Sequence, residues 1–180
     1  MHSRKYLKTL LAAGLATAFG AATAGAATEK FKIDPLHVWL NFGIDDGGYG
    51  KALGHFNNIK GDIVFDKDDV SKSSVSAELD LAGIDTNDQG RNEEVQGFLG
   101  MARQPQITFV STKVEKVDDN HGKVTGDLTT GGHTASVTMD VTFNKEARSV
   151  VGFSASGSLN INDLKIYGPQ ALDLGSVVDY

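Results

Sequence analysis

Val137-Thr138-Met139-Asp140-Val141-Thr142-Phe143 alternates apolar and polar side chains without a break. Successive side chains of an extended strand point to opposite sides, so a period of two places Val137, Met139, Val141 and Phe143 on one face and the polar residues on the other. Outward from this stretch the spacing recurs downstream as Phe153, Ala155, Gly157 and Leu159, separated by Ser154, Ser156 and Ser158. Upstream it recurs as Val75, Ala77, Leu79 and Leu81 between Ser74, Ser76, Glu78 and Asp80, and as Ile59, Gly61, Ile63 and Phe65 against Lys60, Asp62 and Asp66. Shorter examples are Leu40, Phe42 and Ile44, then Ile107 with Phe109, then Val124, Gly126 and Leu128. The pattern predicts at least seven strands.

Turn-forming residues separate these runs. Asp118-Asp119-Asn120-His121-Gly122, Gly131-Gly132 and Asn144 to Ser149 divide the second half into four consecutive antiparallel strands joined by short loops. One helix is expected between Thr86 and Leu99, where Thr86 and Gln89 have capping-box spacing and Val95, Phe98 and Leu99 share a face. Gly90 and Gly97 weaken it, so a short or broken helix across one end of a sheet is expected. Strands apolar on one side and polar on the other enclose a single buried space, as in a sandwich or a closed barrel. About eight strands make a barrel whose interior either fills with side chains or holds one small ligand, and periodicity does not choose between the two.

Composition narrows the function. The chain has 180 residues, suited to one domain, and no cysteine, which excludes disulfide scaffolds, thiol nucleophiles and cysteine-held metals. A formal charge of −6 disfavours nucleic acid and anionic membrane surfaces. Arg4, Lys5 and Lys8 precede an uncharged run from Thr9 to Phe19 and then the small residues of Ala24-Gly25-Ala26, the order of a secretory signal peptide with an A-x-A cleavage site. That 11-residue core is far short of the roughly 20 residues that span a bilayer. Residues 1–26 are therefore expected to be an export signal and 27–180 a periplasmic or secreted domain of formal charge −9, not stably inserted in a membrane.

Catalytic patterns fail one by one. His37, His55, His121 and His133 form no H-x-H or H-E-x-x-H spacing, so no metal site is expected. The serines around Gly152-Phe153-Ser154 miss the nucleophile-elbow spacing and lie on a strand. Gly47-Gly48-Tyr49-Gly50 with Gly54 opens no helix and reads as a flexible loop. Asp66, Asp68 and Asp69 lack the rest of a calcium loop and read as a solvated turn. An exported barrel without catalytic groups points to binding of an apolar small molecule, each buried isoprene unit contributing about 3 to 4 kcal/mol.

A further set of blocks runs along the mature sequence: Phe31-Lys32-Ile33-Asp34-Pro35 with His37, Leu40 and Phe42, then Gly54, Phe56 and Gly61, then Ser73-Ser74-Val75 and Ile84-Asp85-Thr86. It continues through Arg91, Asn92 and Phe98, Pro105 to Phe109, Ser111 to Val114, Val124 to Thr129 and Gly152 to Ala155. In the order and spacing of these blocks the sequence resembles the YceI-like family of polyisoprenoid- or lipid-binding proteins with a lipocalin-like barrel. The resemblance has implications for fold, location and ligand. It implies an all-β, extended antiparallel barrel with one short helix, a periplasmic or secreted location, and a long-chain isoprenoid such as a quinone or prenyl phosphate in the lumen.

The leading expectation is a non-enzymatic exported carrier that requires no cofactor and takes an isoprenoid lipid or quinone as its ligand. Its lumen is expected to be lined by Leu40, Phe42, Ile63, Phe65, Leu79, Phe98, Phe109, Met139, Val141, Phe143 and Phe153, with Phe98 near the mouth. A homodimer is compatible with this reading. The alternative is a stress-linked periplasmic interaction module with a side-chain-filled barrel, acting through its acidic surface and the loop from Asp45 to Leu53. A third reading, ranked last, is a hydrolase or isomerase using His37 or His55 with a neighbouring acid.

Overall fold

A computed structural model describes residues 28–45, 49–147, 149–165 and 172–176. The expected export signal, Gly47-Gly48 and the chain end at Val177-Val178-Asp179-Tyr180 lie outside the described residues. The period-two runs become antiparallel strands: β1 Glu29–Lys32, β2 Leu40–Asp45, β3 Lys51–Phe56, β4 Ile59–Phe65, β5 Ser74–Asp80, β6 Ile84–Asp85, β7 Gln106–Lys116, β8 His121–Thr130, β9 His133–Ala147, β10 Val150–Leu159 and β11 Leu172–Ser176. The four-strand meander expected in the second half is β7 to β10. The described strands number eleven, against about eight expected. The additional ones are short, and β6, with two residues, is too brief to show a period.

All eleven strands form one sheet in the order β1-β4-β5-β7-β8-β9-β10-β11-β2-β3-β6. That order forces curvature. In a flat sheet β4 and β3 would lie eight strand spacings apart, roughly 38 Å at about 4.8 Å each. Yet Phe56 of β3 and Ile59 of β4 are joined only by Asn57-Asn58, a link that reaches at most about 11 Å. The sheet therefore curls until its two sides meet at this corner, giving a half-barrel consistent with a lipocalin-like all-β fold. Asn58 takes the left-handed conformation, φ 62°, that asparagine tolerates better than most residues, and Asn57 N–H donates to Gly83 O at 2.9 Å. The segment from Ile33 to Trp39 makes a second link, a strap that runs from β1 at one side of the sheet to β2 at the other.

One end of the barrel is solid. Helix α1, Gln89–Phe98, buries Val95 and is followed by buried Leu99. Asp88, not Thr86, caps α1, its carboxylate accepting from Arg91 N–H at 2.7 Å. Thr86 is instead buried and tied to Asn92, both its N–H and its hydroxyl donating to Oδ1. The expected capping box is thus displaced by an aspartate two residues on, a stronger acceptor for the first turn. Beyond α1, Gly100 lies so close to Gly131 in the β8–β9 turn that a Cβ on it would stand 2.5 Å from Gly131 Cα. The fully buried Thr130 hydroxyl donates to Leu99 O at 2.6 Å. Leu81, Ile84, Ile107, Phe109 and Leu128 complete this packed region.

Two sequence readings are corrected here. Gly54 is not loop but the buried centre of β3, and the Phe42 ring lies over it, where a Cβ would stand 2.4 Å from Cζ. Glycine in this strand admits the close approach of an aromatic ring. Asp66 is not solvated: it is 6% exposed, and its Oδ1 accepts from the N–H groups of Asp68 and Asp69 at 3.1 and 2.9 Å. A buried carboxylate is kept here because the tight turn after β4 supplies donors to satisfy it.

Candidate functional site

The other end of the barrel is hollow. A cavity of about 800 Å³, open to solvent, lies between β1, β4 and β5 on one wall and β7 to β10 on the other, with the strap beside it. This falls in the usual range for small-molecule sites. Its walls follow from the strand period: Ile63 and Phe65 of β4, Val75 of β5, Val124 of β8, Met139, Val141 and Phe143 of β9, and Phe153 and Ala155 of β10 all line it. Three phenylalanines meet in it. Phe65 has its ring centroid 5.7 Å from that of Phe143 and 5.3 Å from that of Phe153, and the last two are 5.8 Å apart. Because β4 is far from β9 and β10 in strand order, this cluster joins opposed walls of the barrel. A bulge at Gly152/Phe153 sets Phe153 opposite Phe143.

Of the eleven residues expected to line the lumen, Ile63, Phe65, Met139, Val141, Phe143 and Phe153 line this cavity. The other five do not. Phe42, Leu79 and Phe109 are buried in the packed core, 3 to 6% exposed, and Leu40 and Phe98 pack against that core. Phe98 was expected near the mouth. It belongs to α1 at the solid end, because the helix follows β6 and docks on the β8–β9 turn rather than on the cavity rim. The strand period identifies inward residues but not the level at which the barrel is plugged.

Other lining residues escaped sequence reasoning. Val114 faces the cavity because a bulge between Ser111 and Lys113 shifts the inward set of β7 from odd to even positions. At that bulge the Ser111 hydroxyl accepts from Val75 N–H at 2.9 Å. Phe31 comes from β1, a strand too short to recognise, and Ile33 and Val38 from the strap. An alternation at Phe31 and Ile33 was the available signal.

The mouth is polar. The strap is knotted by Asp34, whose carboxylate accepts from Leu36 N–H at 2.9 Å and pairs with His37 Nδ1 at 2.8 Å. The β7–β8 turn repeats the device: Asp118 accepts from the N–H groups of Asn120 and His121 and meets His121 Nδ1 at 2.9 Å. Backbone donors, then the histidine, hold both carboxyls below the ordinary aspartate value. All four side chains are more than half exposed. His55, the other histidine considered for catalysis, stands 3.9 Å from Asp85 between β3 and β6 and does not line the cavity. Among the described residues no three His, Asp or Glu side chains are grouped to hold a metal, and no helix is long and apolar enough to cross a membrane.

Comparison with known proteins matches this architecture. The model of the YceI-like domain matches residues 31–179. A UPF0312 protein of Pseudomonas putida is 35% identical over 184 residues, covering 96% of each chain. A UPF0312 protein of Pectobacterium atrosepticum is 30% identical over 185 residues, covering 97% of this chain and 95% of its own. Among solved structures, BcnA of Burkholderia cenocepacia superposes with a TM-score of 0.73 at 20% identity, over 80% of this chain and 96% of its own. A polyisoprenoid binding domain from Saccharophagus degradans superposes with a TM-score of 0.60 at 11% identity, over 83% and 96%. With a domain match that takes in both the packed end and the hollow one, and relatives aligned nearly end to end, the chain belongs to the YceI-like family.

Proposed function

We propose that this protein is a non-enzymatic carrier of a long-chain isoprenoid or quinone-like lipid, exported to the periplasm and holding the lipid tail in the hollow half of its barrel. The observation that carries this reading is the cavity itself: an apolar chamber of about 800 Å³, lined by aliphatic and phenylalanine side chains and open at a polar rim. An apolar tail moved from water into it gains about 0.8 kcal/mol per buried CH₂-sized group, so a few isoprene units suffice for micromolar affinity after association costs. The name of the Saccharophagus degradans neighbour points the same way. A wholly filled barrel working only as an interaction module fits less well, since the interior contains an unfilled chamber of about 800 Å³.

The test is to purify the protein from the periplasm, extract it with organic solvent and identify the extract by mass spectrometry. One isoprenoid per chain is expected, and an empty extract with no uptake of added quinone would refute the reading. Phe143→Asp should abolish uptake with the circular dichroism spectrum preserved, because a carboxylate at the cavity wall can reach solvent through the mouth.

A further inference from the structure

The wall of the chamber has a weak place beside β5. The ladder between β5 and β7 runs from Asp80↔Gln106 to Ser76↔Val110 and stops there. At the next step Val75 N–H donates to the Ser111 hydroxyl, and β7 bulges between Ser111 and Lys113. Residues 113–116 pair with β8 on one side, and among the described residues no strand pairs with them on the other. The 3₁₀ turn Val70–Lys72 stands in that place. Its hydrogen bonds close on its own loop. Lys72 N–H donates to Asp69 O at 2.9 Å and Ser73 N–H to Val70 O at 3.0 Å, while the Asp69 carboxylate accepts from the Ser71 N–H and hydroxyl. None of the three turn residues is fully buried, and among the described residues none of their hydrogen bonds reaches β7. A segment tied only to itself, with little apolar area buried, is the kind that opens locally at small cost.

Outside this turn lies a groove of about 510 Å³, lined by residues 68–71 and 112–116. Val70, Val114, Glu115 and Lys116 line both the groove and the chamber, so two valine side chains form the apolar partition between them. The chamber is closed below by the packed end, which bounds the tail it can hold. A dry cavity of about 150 Å³ takes one benzene, and on that scale about 800 Å³ holds roughly 30 carbon atoms, or about six isoprene units. A longer tail needs a way out. In the groove Lys113 and Lys116 have their ammonium groups held by Glu115 and Asp119, and their methylene stems offer such a tail apolar cover.

We propose that an isoprenoid tail too long for the chamber passes out through the side of the barrel between Val70 and Val114, where the 3₁₀ turn yields, and that these two valines set the tail length the protein accepts. The inference rests on the lipid-carrier reading and adds a side exit to it. Ubiquinones of four and ten isoprene units test it on lipid-stripped protein purified from the periplasm, each delivered from the same detergent micelles and read by quenching of Trp39, the single tryptophan. Comparing each variant with the wild type at one tail length cancels the micelle's own preference. The wild type should take both quinones. Val70→Phe, which thickens the partition, should weaken the ten-unit quinone at least about tenfold and leave the four-unit one within about twofold. The chain has no cysteine, so Ser71→Cys/Lys113→Cys places its only two thiols, both at exposed positions, on either side of the slot. A short bis-maleimide joining them should reproduce the loss for the ten-unit quinone, and the unbridged double variant should behave as the wild type. If Val70→Phe loses both lengths, the bridged pair decides. Equal binding of the ten-unit quinone with and without the bridge overturns the inference, as does a wild type that takes four units and rejects ten. Uptake of neither length by the wild type refutes the lipid-carrier reading itself, a distinct result.

Discussion

Phe109 and Phe143 are both inward-facing aromatics on long strands of one sheet, and the barrel treats them differently. Phe109 is 6% exposed, packed over Gly126 so closely that a Cβ there would stand 2.4 Å from its Cζ. Phe143 lines the cavity and touches only part of its surroundings, chiefly Phe65 and Phe153. The difference lies across the barrel rather than along the strand. At the Phe109 end, α1 and the chain around Leu81 and Leu99 fill the interior; at the Phe143 end, among the described residues, no α-helix is packed into the space, and the short 3₁₀ turn Val70–Lys72 only borders it through Val70. The same alternation thus builds a core at one level and an open apolar chamber at another.

That division is most sharply tested by truncation. Phe109→Ala should cost about 3 to 5 kcal/mol, the usual range for a buried phenylalanine, because the packed walls cannot collapse into the void. Phe143→Ala should cost less than about 2 kcal/mol, since its ring already borders open space, and should still weaken lipid uptake. Urea unfolding of both variants measures the contrast. Equal losses would mean that the chamber is closed in solution and that the two ends are alike. Gly126→Ala is the next largest effect: the new methyl meets both Phe109 Cζ and Val110 O at 2.6 Å or less, so about 1 to 3 kcal/mol should be lost by overpacking. Gly157→Ala, where the nearest atoms stand 3.1 and 3.2 Å away, should cost less.

How much of this was legible follows the same division. The strands, their meander and their inward faces were readable because a half-buried sheet requires side chains to alternate, and β7 to β10 do so over long runs. Six of the expected lining residues reached the cavity because they sit on those faces. Phe98, Phe109 and Leu79 did not, because the level at which α1 plugs the barrel is a tertiary fact with no local pattern. Val114 was hidden by the bulge that reverses parity after Ser111. The mouth was hidden for another reason: His37 and His121 are only three residues from their aspartates, a spacing that reads as an ordinary turn until the cavity places both pairs on one rim.

Those two knots allow the smallest and most local test of the comparison, since acid should loosen the hollow end before the solid one. Asp34 is held below its ordinary value of 3.8 by the Leu36 N–H first and His37 second. A carboxyl depressed in the folded state contributes stability that is fully present above its unfolded pKa and is lost as pH falls through the folded one. As pH falls below the ordinary aspartate value of 3.8 and through the lower folded one, the strap should therefore loosen, seen as a change in Trp39 fluorescence and faster amide exchange at Leu36 and His37, while amides of Leu99 and Ile107 stay protected. Asp34→Asn should remove that acid-side step from the strap. Asp118→Asn should leave the strap's step in place and remove the corresponding one at Asn120 and His121, whose N–H groups its carboxylate holds. If exchange at Leu99 rose together with that at Leu36, the two ends would open as one unit, and a packed end that holds the fold while the mouth moves would not be a property of this barrel.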